Sequence, residues 1–122
     1  MSQQVQVLVV EDDGLIRMDL ADILTDHGFS VLEAMNAEQA LAMLEAQPAI
    51  RVVLTDIDMP GAMNGLSLAN AAAEQWPDCR IIVISGRYVP EDGSLPEGAR
   101  FLSKPISERQ LAATLIDLGM AT

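Results

Sequence analysis

Five short aliphatic runs recur along the chain, and in several of them hydrophobic residues follow one another without alternation: "VQVLVV" (5–10), "SVL" (30–32), "RVVLT" (51–55), "CRIIVIS" (79–85) and "ARFL" (99–102). A strand with one wet face alternates apolar and polar residues. A run that is apolar at every position must be covered on both faces, as in a parallel sheet with helices above and below. Helical patterns fill the gaps. "GLIRMDLADILTDHG" places Leu15, Ile16, Leu20, Ile23 and Leu24 at helical spacing, with Gly28 as the stop. "NAEQALAMLEAQP" opens on Asn36 with Gln39 three residues later, a capping-box variant, and Pro48 closes it. "GLSLANAAAEQWP" stops before Pro77, and "SERQLAATLIDLG" repeats the capping logic at Ser107 and Gln110. Its apolar stripe is Leu111, Leu115 and Leu118 with Ala112 and Ile116.

The exception is "GRYVPEDGSLPEGAR" (86–100), where two prolines and three glycines argue against a regular helix. The expectation is a doubly wound α/β domain whose fourth crossover helix is short or absent. With 122 residues, one domain with one core fits the length. Only 3% of residues are aromatic, so that core is aliphatic, with methionines filling gaps.

Eighteen acids against seven bases give a formal charge of −11, a surface that repels phosphate backbones and argues against direct nucleic-acid binding. No apolar stretch reaches the roughly 20 residues of a membrane span. "MSQQVQVLVV" lacks the basic flank and cleavage pattern of a signal peptide. The lone Cys79 reads as a small buried hydrophobe in a reducing cytoplasm.

In open parallel sheets, sites form beyond the carboxyl ends of the strands. The first strand ends in Glu11, Asp12 and Asp13, the third in Asp56 and Asp58, the fourth in Ser85, and the fifth in Ser103, Lys104 and Pro105. The second delivers Glu33 at the expected sheet edge. Lys104 is the single lysine of a chain that otherwise uses arginine. Two carboxylates about 5 Å apart repel by ~3 kcal/mol at an effective dielectric of ~20, and three or more require a raised pKa or a cation. One lysine cannot neutralise them all. A divalent metal can, and an all-oxygen donor set suits Mg²⁺. Metal, ammonium and hydroxyl together form a clamp for phosphoryl oxygens, with a carboxylate as nucleophile.

"VLVVEDDGLIR", "VVLTDIDMPGAMNGL", "IIVISG" and "ARFLSKP" together resemble the receiver domain of bacterial two-component response regulators, over nearly the whole chain and in the family's order. The resemblance implies a five-stranded sheet in 2-1-3-4-5 order and a phosphoprotein of the chemotaxis single-domain type. Its phosphoryl donor is a sensor histidine kinase or a histidine phosphotransfer protein. The phosphoacceptor falls on Asp56, and the metal ligands on Asp12, Asp56, the backbone carbonyl of Asp58 and, through water, Glu11, holding Mg²⁺ or Mn²⁺. Ser85 takes the switch hydroxyl's place, Lys104 the phosphate-binding lysine's and Phe101 the switch aromatic's. Asp13 is given no metal-binding role.

The chain departs from the family pattern in places. "MPGAMNG" is one residue longer than the usual loop and has Asn64 where an acid stands, and Gly86 replaces the usual alanine. Asp58 and Arg87, each two residues beyond a site position, are expected at the pocket rim. There they would pair and slow hydrolysis of the aspartyl-phosphate. The last expected helix stops four residues short of the chain end, so residues 1–122 read as a single receiver domain without an output domain, signalling through a partner protein. Two alternatives stand beside this reading. One is a phosphorylation-independent interaction module. The other is a phosphatase of the haloacid dehalogenase type, suggested by the D-x-D of "LTDIDMPG" although Met59 follows it.

Overall fold

The runs that are apolar at every position divide their side chains between two cores, one on each face of the sheet. In the computed structural model, which describes residues 4–59, 63–86 and 94–120, β1 (Gln6–Val10) sends Leu8 and Val10 to one core and Val7 and Val9 to the other. β3 (Ile50–Asp56) and β4 (Arg80–Ser85) divide in the same way, with Val53, Ile81 and Val83 opposite Val52, Leu54, Ile82 and Ile84. With β2 (Ser30–Ala34) and β5 (Arg100–Ser103) they form a parallel five-stranded sheet in the order β2-β1-β3-β4-β5. This is the expected doubly wound fold, with β2 at an edge.

The helices α1 (Gly14–Asp26) and α4 (Glu108–Asp117) cover one face through Leu20, Leu24, Leu111 and Leu115. On the other face α2 (Ala37–Ala46) and α3 (Gly65–Gln75) bring Ala40, Leu44, Leu68 and Ala72. The residues 94–99 lie on that second face as turns, with Leu95 and Ala99 packed on the core. Among the described residues of the fourth crossover none is helical, and residues 87–93, including Arg87, lie outside the described part.

The helix ends follow the capping chemistry. Asn36 Oδ1 accepts from the Gln39 N–H at 2.8 Å, while the Gln39 side chain reaches one residue further back than a standard capping box, to the Met35 N–H. Ser107 caps α4 through the Gln110 N–H at 3.0 Å. Gly28 (φ 90°) and Gly119 (φ 78°) each close a Schellman turn, the next residue's N–H returning to Leu24 O and Leu115 O. Asp13, which had no assigned role, is the N-cap of α1 and accepts from the Leu15 and Ile16 N–H groups.

Helical spacing misplaced several apolar residues. Leu15 is 79% exposed and Ile116 64%, and Ile16 is exposed too, so none of these is core; Met18 and Met35, expected among the methionines that fill gaps in the core, are also exposed. Leu15 and Ile16 stand in the first turn of α1, beside the carboxyl ends of the strands, while the buried residues of α1 begin at Leu20. Trp76 is the C-cap of α3 and packs half-buried against the core. Cys79 is half-buried, and its thiol donates to Ile50 O at 3.1 Å. His27 ends α1, and its Nε2 lies 3.0 Å from Glu108 Oε1.

Candidate functional site

Parallel pairing brings the strand ends level. Val10 faces Thr55, Asp56 faces Ile84, and Ser85 faces Ser103. The chain therefore delivers Glu11 just past β1, Asp56 at the end of β3 and Lys104 just past β5. Backbone bonds keep these residues in line with the sheet: the Glu11 N–H donates to Ala34 O at 3.1 Å and the Lys104 N–H to Ser85 O at 2.9 Å.

Lys104 joins the two buried acids. Its Nζ donates to Asp56 Oδ2 at 2.7 Å and to Glu11 Oε1 at 3.0 Å. The remaining oxygens take backbone donors, Asp56 Oδ1 from the Asp58 N–H at 3.1 Å and Glu11 Oε2 from the Asp13 N–H at 3.2 Å. Glu11 is 1% exposed and Asp56 3%. One ammonium between two buried carboxylates leaves an excess negative charge, and the Asp12 carboxylate adds to it from the exposed side.

Burial pushes the Glu11 carboxyl from 4.5 up to about 7, against the lowering pull of the Lys104 hydrogen bond. For Lys104 itself, burial pulls the pKa down, but the hydrogen bonds and charges of Asp56 and Glu11 outweigh it and the net shift is upward. The raised Glu11 value has a sign that can be checked without metal. A proton taken up more tightly by the folded chain stabilises it fully below pH 4.5, and the gain is lost as pH rises through about 7. In chelator, the urea midpoint of the wild type should therefore fall more steeply between those values than that of Glu11→Gln. Parallel curves would contradict this placement of Glu11.

The residues present fit a hard cation. Glu11, Asp12 and Asp56 each offer a carboxylate oxygen, and the three lie within 4.8 Å of one another. Ligands on Mg²⁺, at roughly 2.1 Å from the ion, stand about 3–4.2 Å apart, so small side-chain adjustments close the set. The site's excess negative charge gives such an ion something to neutralise.

Two features of the site went unread in the sequence. The Arg17 guanidinium donates from Nη1 to Glu11 O at 2.9 Å and from Nε to Glu33 Oε1 at 3.1 Å, strapping the acidic turn to β2. Long helical side chains lean toward the N-terminus of their helix, and Arg17 in the second turn of α1 reaches the residue before the helix in this way. Asn64, noted only as a departure from pattern, is the N-cap of α3, accepting from the Ser67 N–H at 2.9 Å. The Asp58 carboxylate, expected at the rim, is found with Ser85, whose Oγ donates to Asp58 Oδ2 at 3.1 Å. Phe101 is half-buried against the core on the α2–α3 face.

A family model described as "Response regulator receiver domain" matches residues 7–116. The chain belongs to the response regulator receiver domain family. The receiver is 36% identical over 109 residues to the response regulator receiver protein CpdR of Brucella abortus, covering 87% of this chain and 89% of that one. It is 34% identical to the sensor kinase CckA of the same organism over 97% of this chain, but spans only 13% of that protein. Among solved structures, a response regulator receiver protein from Sinorhizobium medicae superposes with a TM-score of 0.88 at 31% identity, covering 95% of this chain and 94% of that one. A CheY-like receiver domain protein from Methanospirillum hungatei gives 0.84 at 26% identity, with 95% and 94% covered. The receiver is thus a signalling phosphoacceptor of two-component systems by family, and this match takes the place of the phosphatase reading. Among its described residues no helix is long and apolar enough to cross a membrane.

Proposed function

We propose that this receiver accepts a phosphoryl group on the Asp56 carboxylate, from the phosphohistidine of a sensor kinase or phosphotransfer protein. The observation that carries the reading is the bridge from Lys104 Nζ to Asp56 Oδ2 and Glu11 Oε1 beside the three-carboxylate group. In the transfer the donor's P–N bond breaks, a P–O bond forms on Asp56, and the imidazole leaves as the neutral base after taking a proton from solvent. Asp12, Asp56, the Asp58 carbonyl and Glu11 through water would hold Mg²⁺ (or Mn²⁺), which when bound supplies positive charge toward the transferring oxygens. Lys104 holds the Asp56 carboxylate oriented beforehand through its hydrogen bond to Oδ2 and meets an oxygen of the arriving group. Ser85 donates its hydroxyl to a second such oxygen, and Phe101, within β5, responds to that movement. The aspartyl-phosphate then changes the receiver's fit to a downstream protein.

Incubation with Mg²⁺ and acetyl phosphate should add a single phosphate to the intact mass of the wild type. Asp56→Asn, or wild type in chelator, should show none. An adduct that survives Asp56→Asn would refute the assignment.

The donor protein docks on α1. Ile16 and Leu20 of α1 line a cavity of about 420 Å³ together with Ile84, Pro105, Ile106 and Lys104, so apolar surface continues directly into the site. Leu15 stands exposed beside Ile16 in the first turn of α1. A phosphohistidine protein seated here would bring its donor over Asp56. Leu15→Asp should slow transfer from such a protein at least tenfold while leaving labelling by acetyl phosphate within twofold of wild type. Equal slowing with both donors would place the defect in the chemistry and not in docking.

A further inference from the structure

The Asp58–Ser85 hydrogen bond gives Asp58 a part in the site that its expected place at the rim does not cover. The Asp58 N–H donates to Asp56 Oδ1 at 3.1 Å, which fixes this residue against the acceptor, and its Oδ2 takes the Ser85 hydroxyl at 3.1 Å. Ser85 is buried and its backbone is anchored at the end of β4, where its carbonyl accepts from the Lys104 N–H at 2.9 Å. Rotation about χ1 would move its hydroxyl while the backbone stays in place.

We propose that the Asp58 carboxylate is a latch on Ser85, competing with the phosphoryl group on Asp56 for one hydroxyl proton. The inference rests on the reading of Asp56 as phosphoacceptor. A serine hydroxyl carries a single proton and serves one acceptor at a time. Ionised acceptors bind it about twice as strongly as neutral ones, and both a carboxylate and a phosphoryl oxygen are of that kind. Turning Ser85 toward the phosphoryl group therefore means leaving Asp58. Asp58 is half-buried, so water can replace the hydroxyl there and the release is readily reversible. The result is a receiver whose switch hydroxyl is biased toward the unphosphorylated position by an acid from its own phosphoacceptor loop.

Beryllium fluoride with Mg²⁺, whose beryllium exchanges one ligand reversibly for a carboxylate oxygen and so mimics a phosphoryl group, tests the latch through its affinity, read by fluorine NMR. Asp58→Ala removes a competitor and should bind about tenfold more tightly than wild type, the weight of a hydrogen bond to a charged group. Removing the Asp58 charge also eases anion binding through space, so the same substitution is made in Ser85→Ala. There, with no proton to contest, Asp58→Ala should change affinity by less than about twofold. Asp58→Asn, which keeps an acceptor oxygen of the same shape, should lie between wild type and Asp58→Ala. An equal gain in both serine and alanine backgrounds overturns the latch and leaves the phosphoacceptor reading intact. Failure of the wild type to bind the mimic overturns both.

In the ligand-free protein, Asp58→Ala and Ser85→Ala should lower the urea midpoint by less together than the sum of their separate effects. Additive shifts would overturn the latch.

Discussion

Gly65→Ala is expected to cost the receiver more than about 3 kcal/mol of stability and to lower its melting temperature by on the order of 10 °C. A Cβ at this position would lie 1.7 Å from Asp56 O, 2.6 Å from Asp56 C and 2.9 Å from Ile57 Cα. All three atoms are backbone, so no side chain can swing aside to make room. The N-terminus of α3 would have to back away from the end of β3, straining the Gly65 N–H bond to Ile57 O at 3.1 Å and the Asn64 cap. Because the displaced backbone is that of Asp56 itself, labelling by acetyl phosphate should fall with stability. Thermal unfolding read alongside labelling checks both halves. A loss below about 1 kcal/mol would mean that the helix and strand do not meet as closely as described.

Lys104→Met should have the second large effect, and its size should depend on pH and metal. The substitution keeps most of the apolar stem and removes the charge that joins Asp56 and Glu11. Breaking a buried ion pair by deleting one partner costs roughly 3–5 kcal/mol, and the partial exposure of Lys104 brings this nearer to ~2–3 kcal/mol. In chelator at pH 8 the loss should be full. At pH 6 it should be smaller, because Glu11, already raised to about 7 with the lysine present, takes up a proton in its place. Mg²⁺ should restore part of the stability at pH 8 by supplying the missing charge. It should not restore phosphorylation, which we expect to be slowed at least a hundredfold for want of the ammonium that meets the transferring oxygens. Urea midpoints at both pH values, with and without Mg²⁺, check the first part and acetyl phosphate labelling the second. A loss that is the same at both pH values and unaffected by Mg²⁺ would show that Lys104 acts there through packing and not through charge.

Most of the fold was legible because burial on both faces leaves a distinctive mark. Runs such as Val52–Leu54 and Ile81–Ile84 are apolar at every position, and the structure assigns successive residues to opposite cores. The helix ends were legible for an equally local reason, since Asn36, Ser107 and Gly28 act on backbone groups within a few residues. Facing was harder in α1. Leu15, Ile16, Met18, Leu20, Ile23 and Leu24 spread round much of the helix, and periodicity could not tell which of them would overhang the end of the sheet.

The site divides in the same way. Glu11, Asp56 and Lys104 were legible as charges placed after aliphatic runs, where burial forces them to compensate one another. What could not be read was which oxygen would meet which donor. The Asp58 carboxylate meeting Ser85 across two strands, and Arg17 gripping the Glu11 carbonyl, depend on side-chain directions that spacing does not encode.

Mapping the phosphorylated residue decides whether Asp56 is the acceptor. Borohydride reduces an aspartyl-phosphate to homoserine, a permanent mark that peptide mass spectrometry locates in a protein labelled with acetyl phosphate and Mg²⁺. Homoserine is expected at position 56 alone, in proportion to the phosphate gained. Homoserine at 12, 13 or 58, or none in a protein that has gained phosphate, would contradict it.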